Sequence, residues 1–90
     1  VYSISFTNKF KKDYKLCVKR GYDIEKLQTV ITLLKETGKL PAQYKPHKLS
    51  GNYAGLWECH IKPDWLLVWL QDDNKLTLIL TNTGTHSDLF

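Results

Sequence analysis

Ninety residues suffice for one domain, spanning 1–90, and leave no room for a second core. Hydrophobic residues make up 42% and charged residues 24%, which excludes a disordered chain, and the formal net charge of +4 favours acidic or phosphate-rich partners. No apolar run approaches membrane-spanning length, no signal peptide is expected ahead of Val1, and Cys17 and Cys59 show no CxxC spacing. Buried, reduced thiols in a cytoplasmic protein are therefore expected, with a disulfide left open.

Tyr2, Ile4 and Phe6 alternate with Ser3 and Ser5, the pattern of a strand with one buried face. Thr7 or Asn8 can cap a helix whose stripe is Phe10, Tyr14, Cys17 and Val18, with lysines on the remaining surface and Gly21 as its stop. Asp23 caps a second helix with the stripe Ile24, Leu27, Val30, Ile31 and Leu34, which Gly38 closes. The short gap between them predicts an antiparallel helical hairpin. Residues 38 to 46 form a connector containing Pro41 and Pro46.

The second half reads as sheet. Trp57, Cys59 and Ile61 alternate with Glu58, His60 and Lys62, so His60 should face away from the helices with its two charged neighbours. Trp65 to Leu70 is apolar on both faces, which predicts a central strand. A turn at Asp72-Asp73-Asn74 leads into a last strand that begins with Leu76, Leu78 and Leu80. The expected class is α+β: an N-terminal strand, an antiparallel helical hairpin, then a mostly antiparallel meander sheet.

Chemistry-capable residues collect at segment ends. His47, His60 and His86 are the only histidines, and each lies beside a glycine- or proline-marked turn. Asp64 stands four residues after His60, where a carboxylate can orient an imidazole and tune its proton affinity. Read singly, each is an ordinary surface or turn residue, and Phe90 is a hydrophobic anchor for the last segment. Together, three imidazoles among lysines suit RNA cleavage. RNA supplies its own 2′-hydroxyl nucleophile, so the enzyme must take that proton, stabilise the pentavalent phosphate and protonate the leaving 5′-oxygen. Phe90 or an exposed tryptophan can stack on a base. A zinc site from the same residues is the competing chemistry, but no HxxxH or HExxH spacing supports it.

Three blocks carry a family resemblance: His47-Lys48-Leu49-Ser50-Gly51, then Trp57-Glu58-Cys59-His60-Ile61-Lys62-Pro63-Asp64-Trp65, then Thr83-Gly84-Thr85-His86-Ser87-Asp88-Leu89-Phe90. In this order and spacing the chain resembles the YafQ branch of the RelE/ParE superfamily, the ribosome-dependent mRNA interferase toxins of bacterial toxin–antitoxin pairs. The resemblance implies a RelE-like fold and a catalytic set of His47, His60, Asp64, His86 and Phe90, with His60 and Asp64 acting as a coupled pair. It also implies RNA contacts from Lys48, Lys62 and Phe90. The implied reaction is metal-independent cleavage of mRNA in the ribosomal A site, next to 16S rRNA, leaving a 2′,3′-cyclic phosphate, with a cognate antitoxin as neutralising partner and no cofactor.

One position departs from the family pattern. Asn82 stands where relatives often carry an arginine, so positive charge for the phosphorane must come from elsewhere, with Lys48 and Lys62 the nearest candidates by motif. Two other readings use the same scaffold. One is a non-enzymatic toxin that binds gyrase, for which the histidines would be dispensable. The other is a degenerate toxin that retains only antitoxin binding.

Overall fold

A computed structural model describes residues 1–90. The chain runs β1 (Ser3–Phe6), α1 (Asn8–Lys19), α2 (Ile24–Thr37), β2 (His47–Lys48), β3 (Leu56–Lys62), β4 (Trp65–Asp72), β5 (Thr77–Gly84) and α3 (His86–Leu89), with single 3₁₀ turns at Ala42–Tyr44 and Gly51–Tyr53. The sheet order is β1-β5-β4-β3-β2, parallel only between β1 and β5. The α+β class and the central place of β4 follow the sequence pattern. β2 is an additional two-residue strand immediately after the connector.

Local signals explain the helices. The Thr7 hydroxyl accepts from the Phe10 N–H and caps α1, while the Asp23 carboxylate accepts from Glu25 and caps α2. Gly21 follows α1 with φ +79°, and Gly38 ends α2 with φ +70°. At Gly38 an added Cβ would also lie 2.5 Å from the Tyr2 hydroxyl, so both conformation and space demand glycine there. No helix is long and apolar enough to cross a membrane.

The core lies between the helical hairpin and one face of the sheet. Phe10 and Cys17 from α1 and Leu27, Val30 and Leu34 from α2 meet Cys59, Ile61, Trp65, Leu67, Trp69, Leu78 and Leu80. Twelve buried side chains of this size are the main stabilising contribution, at about 25 cal/mol per Å² of apolar area removed from water. The α1 stripe differs from expectation at two positions. Val18 is exposed, and Asp13 is buried in its place, ion-paired with Lys9 and accepting the Thr83 N–H at 3.2 Å. A buried carboxylate persists because both interactions compensate its lost hydration. Both cysteines are buried and free, and burial pushes the Cys59 thiol up to about 12.

Leu66 and Val68 are also buried but stand on the sheet face opposite the helices, which makes β4 apolar on both sides. Two irregularities shape that open face. In β3 the register shifts between His60 and Lys62. In β5 a bulge at Thr81 opposes Val68 and Trp69. Leu78 and Leu80 point at the helices, so simple alternation would send Asn82 there too; the extra residue reverses the phase. Asn82 thus stands opposite Val68 on the open face, while Thr83 turns inward, accepts from Trp65 Nε1 at 2.9 Å and donates to the Leu66 carbonyl at 2.7 Å. Leu76 falls outside β5, in the preceding turn, with φ +51° and nearly half its surface exposed.

Candidate active site

Sheet register builds the site. His47 in β2 pairs with Glu58 in β3, and paired residues project to the same face. His60 lies two residues further along β3, so it shares that face and stands opposite Leu66, which in turn opposes Gly84 in β5. Beyond Gly84 the chain turns at Thr85 into α3, whose first residue is His86. The three imidazoles therefore form a row with His60 in the middle. Its ring centroid lies 6.3 Å from that of His47 and 5.8 Å from that of His86.

Each end of the row has its own carboxylate. Glu58 is 5% exposed, with Oε1 3.2 Å from His47 Nε2 and 3.9 Å from His60 Nε2. Alternation placed Glu58 outward with His60. It does share the His60 face, but it is buried beneath the two rings rather than solvated. Asp64 holds His86 through two contacts to one oxygen, from Nδ1 at 3.1 Å and from the backbone N–H at 3.2 Å. These bonds, the imidazole first, hold the Asp64 carboxyl below its ordinary range.

The expected His60–Asp64 pair is therefore replaced by two others, His60 with Glu58 and His86 with Asp64. The β3–β4 turn explains the exchange. His60 Nδ1 lies 3.3 Å from the Pro63 carbonyl, which uses the ring nitrogen that would have reached the aspartate. Asp64, one residue further round the turn, meets α3 instead.

The tautomers follow from the chemistry of the partners. The Lys45 carbonyl, 2.9 Å from His47 Nδ1, and the Pro63 carbonyl near His60 Nδ1 only accept, so both Nδ1 atoms carry hydrogen. A neutral ring of that tautomer has only a lone pair at Nε2. An ionised Glu58 likewise has only lone pairs, so at 3.2 Å the two form an ion pair only when the imidazole is protonated. His47, Glu58 and His60 thus form a cluster of two imidazoles around one buried carboxylate. His86 differs: Nδ1–H is donated to Asp64, and Nε2 is left without a protein partner.

The remaining expected residues divide. Phe90 packs edge-to-face on Tyr53 at 4.9 Å, and both rings are about half exposed. Lys62 and Asp64 border a shallow depression of about 460 Å³, lined also by Tyr22 and Thr85. Lys48 is on the wrong side for the histidines. It pairs with Trp57 in the register, and its ammonium lies 5.6 Å from the Trp57 ring centroid, on the helix side of β3. Its expected place beside the reacting phosphate is thereby corrected, because adjacent residues of a strand face opposite ways. Arg20 is taken up by Asp88. No lysine or arginine makes an ion pair with Glu58 or Asp64, and no three His, Cys, Asp or Glu side chains converge as a metal cage would.

Sequence reasoning missed Glu58 and Tyr53 as members of the site. The only signal for Glu58 was its period-two partnership with His60, and a charged residue in that pattern reads as solvent-facing. Nothing local marks Tyr53, whose role depends on a contact with a residue 37 positions later.

Residues 2–90 match the family model described as a bacterial toxin of type II toxin–antitoxin systems, YafQ. The mRNA interferase toxin YafQ of Escherichia coli strain K12 is 41% identical over 88 residues, covering 97% of this chain and 94% of that one. The E. coli DinJ–YafQ complex contains a chain of the same fold, with TM-score 0.89 and 38% identity over 100% of this chain and 99% of that one. A metal-bound toxin from Helicobacter pylori aligns with TM-score 0.91 and 40% identity over the whole of both chains.

Proposed function

The chain belongs to the YafQ family of toxins from bacterial type II toxin–antitoxin systems, and on that premise we propose that it cleaves messenger RNA by acid–base catalysis through the 2′-hydroxyl. The observation that carries this reading is the division of labour on the open face. One imidazole has a free Nε2 and a carboxylate behind it, and beside it two further imidazoles surround a buried carboxylate that can stabilise an imidazolium.

In the proposed reaction His86 Nε2 takes the 2′-hydroxyl proton, with Asp64 stabilising the imidazolium that forms. The 2′-oxygen attacks the adjacent phosphorus. The protonated His47–Glu58–His60 group offsets charge on the phosphorane and gives its proton to the departing 5′-oxygen. The products are a 2′,3′-cyclic phosphate and a 5′-hydroxyl. Phe90, braced by Tyr53, orients a base by stacking, and Lys62 meets a phosphate at the rim. Lys48 serves only RNA that passes round the sheet edge. Asn82 contributes no fixed charge, so in this reading an imidazolium beside Glu58 replaces the cation that relatives often place there. No step requires a metal.

The same charge distribution supports action on the ribosome. The histidine face has few cations with which to hold free RNA, whereas Lys9, Lys11, Lys12, Lys15 and Lys19 lie exposed on α1. In this reading the lysine face docks on ribosomal RNA, and the A site presents the message to the histidines. An antitoxin would neutralise the chain, as the E. coli complex with DinJ suggests by likeness.

The test is to add the protein to a translating extract and map new RNA ends. Codon-phased cuts bearing 2′,3′-cyclic phosphates are expected, undiminished by a chelator that takes transition metals but spares magnesium. Intact messages with inhibited gyrase would replace this reading by the non-enzymatic one.

A further inference from the structure

We propose that Arg20, the residue that caps the C-terminal end of α1 and does not contact the histidines, is a positioning residue: its two-point contact with Asp88 fixes α3 and so sets where the His86 imidazole stands. This rests on the catalytic reading of His86 given above.

α3 has only four residues, none of them buried, and a helix of that length does not persist in water on its own. Something must hold it to the domain. Arg20 Nη1 lies 2.6 Å from Asp88 Oδ2, and Nη2 lies 3.1 Å from Oδ1, a fork-on-carboxylate geometry that fixes orientation as well as distance. The same carboxylate completes a capping box. Oδ2 accepts the Thr85 N–H at 2.9 Å, and the Thr85 hydroxyl accepts the Asp88 N–H at 3.1 Å. Asp88 thus joins the start of α3 to the end of α1.

Two further features fit this role. Gly84 leaves the room that Asp88 occupies, since a Cβ there would lie 2.8 Å from Asp88 Oδ2. α1 also grips the same stretch a second time. Asp13, seven residues before Arg20 and on the same side of the helix, accepts the Thr83 N–H. The two grips bracket Thr85 and His86, so α1 acts as a rigid ruler alongside the segment that presents the imidazole. Neither group touches the histidines, and the Arg20 charge is spent on Asp88 rather than offered to a phosphate.

The experiment is a double-mutant cycle of Arg20→Ala and Asp88→Asn, assayed for mRNA cleavage in the translating extract well below the melting temperature of every variant, with His86→Ala in parallel. Arg20→Ala leaves the capping box intact, and Asp88→Asn keeps an acceptor for Thr85, so each removes chiefly the ion pair. Each single change is expected to lower kcat about ten- to a hundredfold, the scale of a misplaced catalytic group, with KM little changed. The double variant should be no worse than either single, because one contact is lost in all three. Arg20→Ala at wild-type kcat, with His86→Ala inactive, overturns the positioning role and leaves the catalytic reading standing. Losses that multiply in the double variant, or that vanish on further cooling, also overturn it. A fully active His86→Ala overturns the catalytic reading and the positioning role with it.

Discussion

Glu58 is buried and faces two imidazoles through their Nε2 atoms; Asp64 is exposed and holds one imidazole through Nδ1, leaving its Nε2 free. The residue types are the same at both ends of the row, and the chemistry is opposite. Contact at Nε2 sets the ring where a carboxylate stabilises its protonated form. Contact at Nδ1 orients the ring and exposes a base. Which nitrogen meets the carboxylate depends on backbone, not on side-chain identity: the Lys45 and Pro63 carbonyls occupy Nδ1 on one side, and α3 delivers Nδ1 to Asp64 on the other. In the proposed reaction one sheet face thereby serves as both acid and base.

On the Glu58 side of this asymmetry the largest expected effect comes from Glu58→Gln. An amide can donate to a neutral Nε2 and carries no charge to favour the protonated ring. Cleavage should fall about ten- to a hundredfold, within the usual range for general acid catalysis, while the melting temperature changes little. Cleavage rates and thermal unfolding of the same preparation check this. A smaller effect of opposite sign is expected from Asn82→Arg, which places a fixed charge in the row with Val68 and Glu58. The rate should rise a few-fold on the alkaline side, where imidazolium is lost and a guanidinium is not, and little on the acid side. A pH–rate profile of both proteins reads this directly.

The smallest effect concerns α3 in acid. Asp64 is held below its ordinary range by His86, and Asp88 further below by Arg20. Carboxylates depressed in the folded state add stability that is complete above their unfolded pKa, near ~4, and is lost as pH falls through the folded value. Acidification should therefore free α3 before the core unfolds. Chemical shifts of Phe90 and Tyr53 should move while those of Leu67 and Trp69 stay fixed.

Much of the fold could be read from the chain because its signals are local. Thr7, Asp23, Gly21 and Gly38 mark helix ends by their own chemistry, and the doubly apolar run Trp65–Leu70 identifies the central strand. The site was legible as a set of residues and not as a set of partners. His47, His60, Asp64 and His86 do gather on one face. Their pairing turned on the register shift after His60 and the bulge at Thr81, each a single residue that reverses which side chains share a face. Period-two reasoning has no means of placing such a residue. Adjacency misled for the same reason at Lys48, which neighbours His47 in the chain and faces away from it.

The most direct test of the acid–base division is the cleavage rate of His86→Ala. His86 is more than half exposed and lies outside the core, so the variant should fold and melt as the parent does. The expected result is a loss of about a hundred- to ten-thousandfold in mRNA cleavage with near-native stability. A folded His86→Ala protein that cuts at the parent rate would contradict the account, because the imidazole oriented by Asp64 would then have no part in the reaction.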